Sequence, residues 1–288
     1  MRFIKTDKFV DNSISIRMFL PFERETITVT NLALRMLKRK TEAFPSLQQV
    51  ALALNEAYSF RVSLHMTGLG NKLMIEYRFQ YLQSQYCPTG LEDSTVLKIM
   101  DQFLFHPLID AASFEECKAQ YEDKLLRLQD DPDYLSSSQC LSLLDKGHTS
   151  SISIQGYQSD LETLSYQDVQ KRIHKIMSLK KHVYVCGRPS QAVLSYLQSI
   201  DVPLEPMMSM HPYQGTEYRE SFLQKEIAQT SLTMAFKTKI TIKDELSYPL
   251  VLLNSVLGQC PNNLLFDTIR EKYSLCYAIH SSLIRYDG

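Results

Sequence analysis

Alternating apolar and polar residues on both sides of a glycine turn predict a β-hairpin over residues 60–81. The two runs flank the segment from Gly68 to Gly70, and a side-chain period of two is typical of half-buried strands. Residues 14–20 have the same period and predict another strand. Because hairpin-linked strands are mixed with helical stretches without strict alternation, we expect an α+β fold with helices packed on an antiparallel sheet.

The stretch TNLALRMLKRKT, residues 30–41, predicts a helix with four basic residues within six positions. Thr30 is the type of residue that caps a helix N-terminus. The predicted buried face and a polar stripe fall on different sides of this helix at helical spacing. The buried face comprises Leu32, Ala33, Met36 and Leu37, and the stripe comprises Asn31, Arg35 and Arg39. Such a helix is either an anion-binding patch or a structural helix with a polar stripe.

The overall charge argues against a large electrostatic binding surface. The 31 basic and 32 acidic residues give a net charge of -1, which leaves no global field to attract nucleic acid or a membrane. The six cysteines form no CxxC pair, so we expect reduced thiols. The first residues do not resemble a secretory signal, and no apolar run is long enough for a transmembrane helix. We therefore predict a cytoplasmic protein.

The length of 288 residues predicts two domains of ordinary size. Residues 201–215 contain several prolines and little periodicity, which is typical of a linker. We therefore predict one domain over residues 1–200 and a second over residues 216–288, each with an antiparallel-rich sheet packed against helices. Since the chain stops directly after an apparent strand, we expect the second domain to be truncated.

Common catalytic motifs are missing from the sequence. There is no HExxH, no pair of histidines at positions i and i+4, no GxSxG and no phosphate-binding GxxxxGK[ST]. The seven histidines are dispersed along the chain. No self-contained active site can be assembled from these residues.

Residues 262–279, NNLLFDTIREKYSLCYAI, carry a resemblance to a known family. They resemble the second-domain signature of the M16 (insulinase or pitrilysin-like) zinc peptidases, in which L-F-x-x-[IV]-R-E-K-x-x-L-x-Y follows a small or polar loop. The similarity extends over nearly the whole chain and is closest to the bacterial subgroup that lacks the HxxEH zinc motif. The resemblance implies two domains of the M16-like fold, also called the LuxS/MPP-like metallohydrolase fold.

In active members of that family, an inverted HxxEH motif on the first long helix and a glutamate on a later helix hold zinc. The resemblance places Asn31, Leu34 and Arg35 at the three HxxEH positions, and it places Asp123 and Lys124 in the region of the third ligand. Leucine cannot act as a base, and a guanidinium stays protonated and does not bind a cation. We therefore expect this degenerate zinc site to hold no metal, and the chain to have no cofactor and no catalytic activity alone.

The same comparison of positions predicts where the guanidinium of Arg35 lies and which residue it pairs with. We expect its guanidinium to lie near the position where active members hold the metal. We further expect it to pair with Glu122 or Asp123, since opposite charges at such a site would compensate each other.

The resemblance also implies a role for Arg270 and Tyr277. In active members, an arginine and a tyrosine seven residues apart reach from one half of the enzyme toward the zinc site of the other, where they could stabilise an oxyanion. We therefore predict a non-catalytic subunit that binds a peptide and acts in trans on a partner, either a zinc-containing paralogue or a second copy. Zinc is expected in that partner, and the subgroup is associated with processing of small peptides. Alternatively, Arg270 pairs with an acid and Tyr277 packs in the core.

Three other functions stay open at this point. The chain could be a purely structural scaffold with the same fold, or a metallopeptidase in its own right. It could also bind nucleic acid or another anion through the basic residues of the predicted helix, which are Arg35, Lys38, Arg39 and Lys40. The balanced overall charge speaks against nucleic acid and membranes as partners.

Overall fold

The computed structural model describes residues 1–205, 217–226 and 229–285. The chain divides into two compact units. The first unit comprises residues 1–207 and 219–235, and the second comprises residues 208–218 and 236–288. Most of the predicted linker, residues 201–215, lies outside the described residues, so its position stays a prediction.

The first unit contains a five-stranded sheet in the order β1-β5-β2-β4-β3. The strands are β1 (Arg2–Lys5), β2 (Asp11–Pro21), β3 (Arg61–Leu69), β4 (Lys72–Leu82) and β5 (His182–Gly187). Only the pairing of β1 with β5 is parallel, and the other three pairings are antiparallel. The predicted hairpin is confirmed as β3 and β4, and its two-residue turn lies at Gly70 and Asn71.

Helices cover one face of this sheet and build the core of the first unit. They are α1 (Arg24–Leu37), α2 (Leu47–Glu56), α3 (Asp93–Phe105), α4 (Ala111–Gln129), α5 (Pro132–Leu144), α6 (Gln158–Thr163), α7 (Tyr166–Met177) and α8 (Gln191–Ile200). Alternate residues of β2, including Ile14 and Ile16, are fully buried in this core. The predicted α+β class is therefore confirmed. Within the described ranges, no helix is long and apolar enough to cross a lipid bilayer.

Helix α1 begins at Arg24, earlier than predicted, so the expectation that Thr30 caps it is wrong. The β-branched residues before Asn31 favour a strand locally, but tertiary contacts override that preference. Ile27 is fully buried, and the Thr28 hydroxyl donates a hydrogen bond to Asp160 at 2.8 Å. The predicted buried face of this helix is confirmed, since its four apolar residues are at most 2% exposed.

The described part of the second unit consists of short helical segments and irregular segments. It contains α9 (Ser247–Asn254), which continues into a π-helical segment, Ser255–Gln259, and a second π-helical segment, Phe266–Lys272. The sheet that the sequence predicts for this domain is not formed by the described residues, since none of residues 229–285 is in a β-strand. An extended segment becomes a strand only when a neighbouring strand completes its hydrogen bonds.

Candidate functional site

A pocket of about 240 Å³ lies where α1, α4, β3 and the segment before α6 meet in the first unit. It is lined by Asn31, Leu34, Arg35, Lys38, Leu64, His65, Met66, Lys124, Ile154 and Gln155. Four positions that the resemblance assigns to the degenerate zinc site, Asn31, Leu34, Arg35 and Lys124, are all in this set. The fold therefore brings Lys124 next to residues that lie some ninety positions earlier in the chain.

Helix α1 and its C-cap residue, Lys38, supply the first four lining residues because of their spacing. Asn31, Leu34, Arg35 and Lys38 follow one another at intervals of three, one and three residues, so they share one face of the helix. The neighbouring apolar face is buried in the core and fixes the rotation of the helix.

The guanidinium of Arg35 lies over the ring of Tyr121 on α4, 4.7 Å from its centroid. Among the described residues, Arg35 makes no ion pair, so the expectation that it pairs with Glu122 or Asp123 is wrong. Tyr121 is fully buried and faces α1, whereas the next two residues of α4 turn away and are exposed. Burial raises the pKa of Tyr121, so its ring stays neutral beside the cation.

Lys124 lies one turn of α4 after Tyr121 and is half-buried. Its amino group donates a hydrogen bond to the side-chain oxygen of Gln155. Burial lowers the pKa of Lys124, and the nearby charges of Arg35 and Lys38 lower it further. The charged form of this lysine is therefore less favourable in the fold than it is for a lysine in water.

Several hydrogen bonds, including the three that follow, fix the segment before α6 against α1 and α4. Asn31 donates to the carbonyl of Ile154 at 2.9 Å, and the Tyr121 hydroxyl donates to the carbonyl of Gln155 at 2.6 Å. Gly156 follows with a φ of +80°, and a Cβ atom there would lie 2.1 Å from the Tyr121 hydroxyl oxygen. The third is the bond from Lys124 to Gln155. This wall of the pocket is held in place by several contacts.

The residues of this pocket do not fit a zinc ion. Structural and catalytic zinc sites use thiolate, imidazole and carboxylate ligands. Here the lining contains three cationic side chains and no carboxylate, with His65 as its one imidazole residue. No group of three or more His, Cys, Asp or Glu side chains suited to a metal occurs within the part of the chain that the structure describes.

Strand β3 forms one edge of the sheet and also one wall of the pocket. It pairs only with β4 among the described strands, so its other edge is open. Leu64 and Met66 are half-buried against the core, while His65 is exposed. The pocket therefore joins an open strand edge.

The two residues predicted to act in trans lie in the second unit and are not among the residues lining the pocket. Arg270 lies over the Phe266 ring at 4.5 Å and is 3.6 Å from the carboxylate of Glu271. Tyr277 is 90% exposed among the described residues, and whether it packs in a core of the whole domain stays a prediction. The described geometry does not bring Arg270 and Tyr277 into contact with each other.

Two residues of the site were not expected from the sequence. Tyr121 stands under Arg35, and Gln155 binds Lys124. A tyrosine at helical core spacing and a glutamine in a loop have no signature of a binding site. Gly156 is the available sequence signal, because glycine often marks a turn or a close approach of the backbone.

Residues 163–288 match the profile of a family described as "Peptidase M16 inactive domain". The chain is 23% identical over 305 aligned positions to the "Probable inactive metalloprotease YmfF" of Bacillus subtilis (strain 168). That alignment covers 99% of this chain and 70% of the relative.

Solved structures share the fold. A conserved protein from Enterococcus faecalis V583 has a TM-score of 0.78 and 18% identity, covering 99% of this chain and 70% of that one. A peptidase M16 inactive domain from Pseudomonas fluorescens has a TM-score of 0.69 and 13% identity, covering 99% of this chain and 68% of that one. Together with the profile over residues 163–288 and the curated relative, these matches bear out the resemblance read from the sequence: the chain is similar to inactive members of the M16 peptidase family.

Proposed function

We propose that this chain is a non-catalytic subunit that binds a peptide and completes the active site of a zinc-containing M16 partner. The observation that carries the proposal is the pocket beside the open edge of β3. Its zinc-ligand positions hold residues that cannot bind the metal, yet a cavity of about 240 Å³ persists there. The pocket is open to solvent, so a ligand can reach it.

The edge of β3 offers hydrogen-bonding groups to an extended peptide. Leu69 and Lys72 flank the two-residue turn, so they form the first hydrogen-bonded pair of the hairpin. Counting back by two, Thr67 bonds to β4, whereas Met66 and Leu64 direct their amide and carbonyl groups toward the open edge. A peptide strand added there would run past the pocket, which is the binding mode called β-augmentation.

The contribution in trans is assigned to Arg270 and Tyr277. The side chain of Arg270 is 41% exposed and Tyr277 is 90% exposed, so both are accessible to a partner. A guanidinium and a phenol hydroxyl are donors that can stabilise the oxyanion formed when a peptide bond is attacked.

The test is reconstitution with a zinc-containing paralogue from the same organism. The pair should form a complex and cleave small peptides, and this chain alone should not. Arg270→Ala and Tyr277→Phe in this chain should each lower kcat of the pair by roughly 100-fold, as the loss of an oxyanion donor does. Lys243→Ala and Tyr273→Phe, which alter an exposed cation and an exposed tyrosine of the same unit, are the matched controls and should keep activity.

Other outcomes would favour other functions. A stable complex whose activity is unchanged by both substitutions would favour a scaffold. The absence of any complex would contradict the partner role. Stoichiometric zinc in the purified chain, measured by elemental analysis, would contradict the non-catalytic assignment and favour a metallopeptidase in its own right.

A further inference from the structure

The pocket contains positive charge without a compensating negative charge. Arg35, Lys38 and Lys124 all line it, and no acidic residue does. Arg35 rests on an aromatic ring, and Lys124 donates to a neutral amide oxygen. Within the described part of the chain, no carboxylate forms an ion pair with Arg35 or Lys124.

Without a bound anion, this arrangement of cations raises the free energy of the folded chain. Like charges that share a small site repel one another, and burial of Lys124 adds a desolvation penalty. Apolar side chains of Leu34 and Met66 also line the pocket, which weakens screening by water and strengthens any interaction with a bound anion. The geometry resembles an anion receptor whose charges are placed before the ligand binds.

We propose that this pocket binds a carboxylate group of the peptide that lies along β3. The proposal rests on the peptide-binding role proposed above and adds a substrate class, which is peptides with an acidic side chain or a free C-terminus at this position. Arg35 can bind the two carboxylate oxygens together, and Lys124 can add a charged hydrogen bond. The carboxylate then lies at the positions that the resemblance assigns to zinc in active members.

A nucleic acid fits the pocket less well. Phosphate backbones are bound by a series of cations, usually with aromatic side chains between them. The next two basic residues of this region are already neutralised, since Arg39 pairs with Glu116 and Lys40 pairs with Asp110. The remaining charge suits a single anionic group.

The experiment uses fluorescent peptides of one extended sequence, with Glu or Gln at the centre and with a free carboxylate or an amide at the C-terminus. Binding to the full chain is measured by fluorescence anisotropy. Peptides that carry the recognised carboxylate should bind roughly tenfold more tightly than the fully amidated Gln peptide. A difference between Glu and Gln identifies a side chain, and a difference between acid and amide identifies the C-terminus.

Variants separate this inference from the peptide-binding role. Arg35→Gln and Lys124→Gln should each abolish the preference for the carboxylate, and Arg39→Gln should keep it because Arg39 does not line the pocket. Met66→Pro removes an amide donor at the open edge and should weaken all peptides equally, with Met66→Leu as its control. Circular dichroism and melting temperature establish that each variant is folded.

Each result decides between the two proposals. Equal affinity for all peptides would overturn the carboxylate inference and leave the peptide-binding role standing. Binding of none of them would contradict both. Tighter binding of a fluorescent single-stranded oligonucleotide, sensitive to Arg35→Gln and to salt, would replace the peptide carboxylate by a nucleic acid phosphate.

Discussion

Basic side chains lie between α1 and α4 in two regions. In one region they form ion pairs with acidic residues, and in the other the described residues form none. In the first region, at the start of α4, Arg39 pairs with Glu116, and Lys40 pairs with Asp110 at 3.1 Å. The hydrogen bond from Arg39 lowers the pKa of Glu116, which is the sign of a favourable pair. In the second region, about two helical turns along α4, the described neighbours of Lys124 are other cations and neutral groups.

The difference separates charges that are paired with an acid in the fold from charges that have no acidic partner among the described residues. Paired residues gain interaction energy in the folded chain, so their removal should cost stability. Lys124 has a neutral partner, Gln155, and no carboxylate among the described residues, and its pKa is lowered by burial first and by Arg35 and Lys38 next. Removing such a charge should cost binding and leave stability unchanged or improved.

The largest effect is expected for Tyr121→Ala, which removes the side chain that divides the two regions. Tyr121 is fully buried, donates to the Gln155 carbonyl and supports Arg35. Truncation of a buried aromatic side chain costs about 3–5 kcal/mol. Urea unfolding followed by circular dichroism measures this loss.

Tyr121→Phe is the control for this substitution. It keeps the ring under Arg35 and loses the hydroxyl bond, so the expected loss is only about 1 kcal/mol. If Tyr121→Ala were as stable as Tyr121→Phe, the ring would not be a structural support of the pocket.

The second prediction concerns the paired region. Arg39→Gln leaves Glu116 without its cation, and the melting temperature should fall by about 2 °C, because a partly exposed pair contributes little. High salt should shrink the difference from the wild type, since it screens the pair. A melting temperature above that of the wild type would remove the distinction between the two regions.

Part of this structure follows from the sequence by local rules. The period of two predicts β2 and the β3–β4 hairpin, and the apolar spacing predicts the buried face of α1. Local rules misplace the start of α1, because Ile27 and its β-branched neighbours favour a strand until the sheet and Asp160 hold them in a helix.

The candidate site follows from the resemblance and not from local rules. Lys124 and Arg35 are far apart in the chain, and no spacing pattern connects them. Counting positions against the family signature places them in one site, and the structure places them in one pocket. Counting positions could not predict the partner of Arg35. The rotation of α4 decides whether Tyr121 or an acidic residue faces Arg35.

The smallest change in stability is expected for Lys124→Gln. The sign of this change distinguishes a residue that supports the fold from one that does not. The introduced amide side chain carries no charge, so the repulsion from Arg35 and Lys38 and the cost of burying an ammonium both disappear. The hydrogen bond to Gln155 can be kept in part by the new amide. At pH 7 the melting temperature should stay equal to that of the wild type or rise by about 1–2 °C.

The pH dependence gives that prediction its independent check. The pKa of Lys124 is lower in the folded chain than in the unfolded chain, so the unfolded chain binds more protons as the pH approaches the ordinary lysine range. The wild type therefore gains stability from this residue as the pH rises through that window, and Lys124→Gln does not. The advantage of the variant should be largest near pH 7 and vanish toward pH 10. A variant less stable than the wild type at pH 7, by a margin that grows with pH, would indicate that Lys124 supports the fold as Arg39 does.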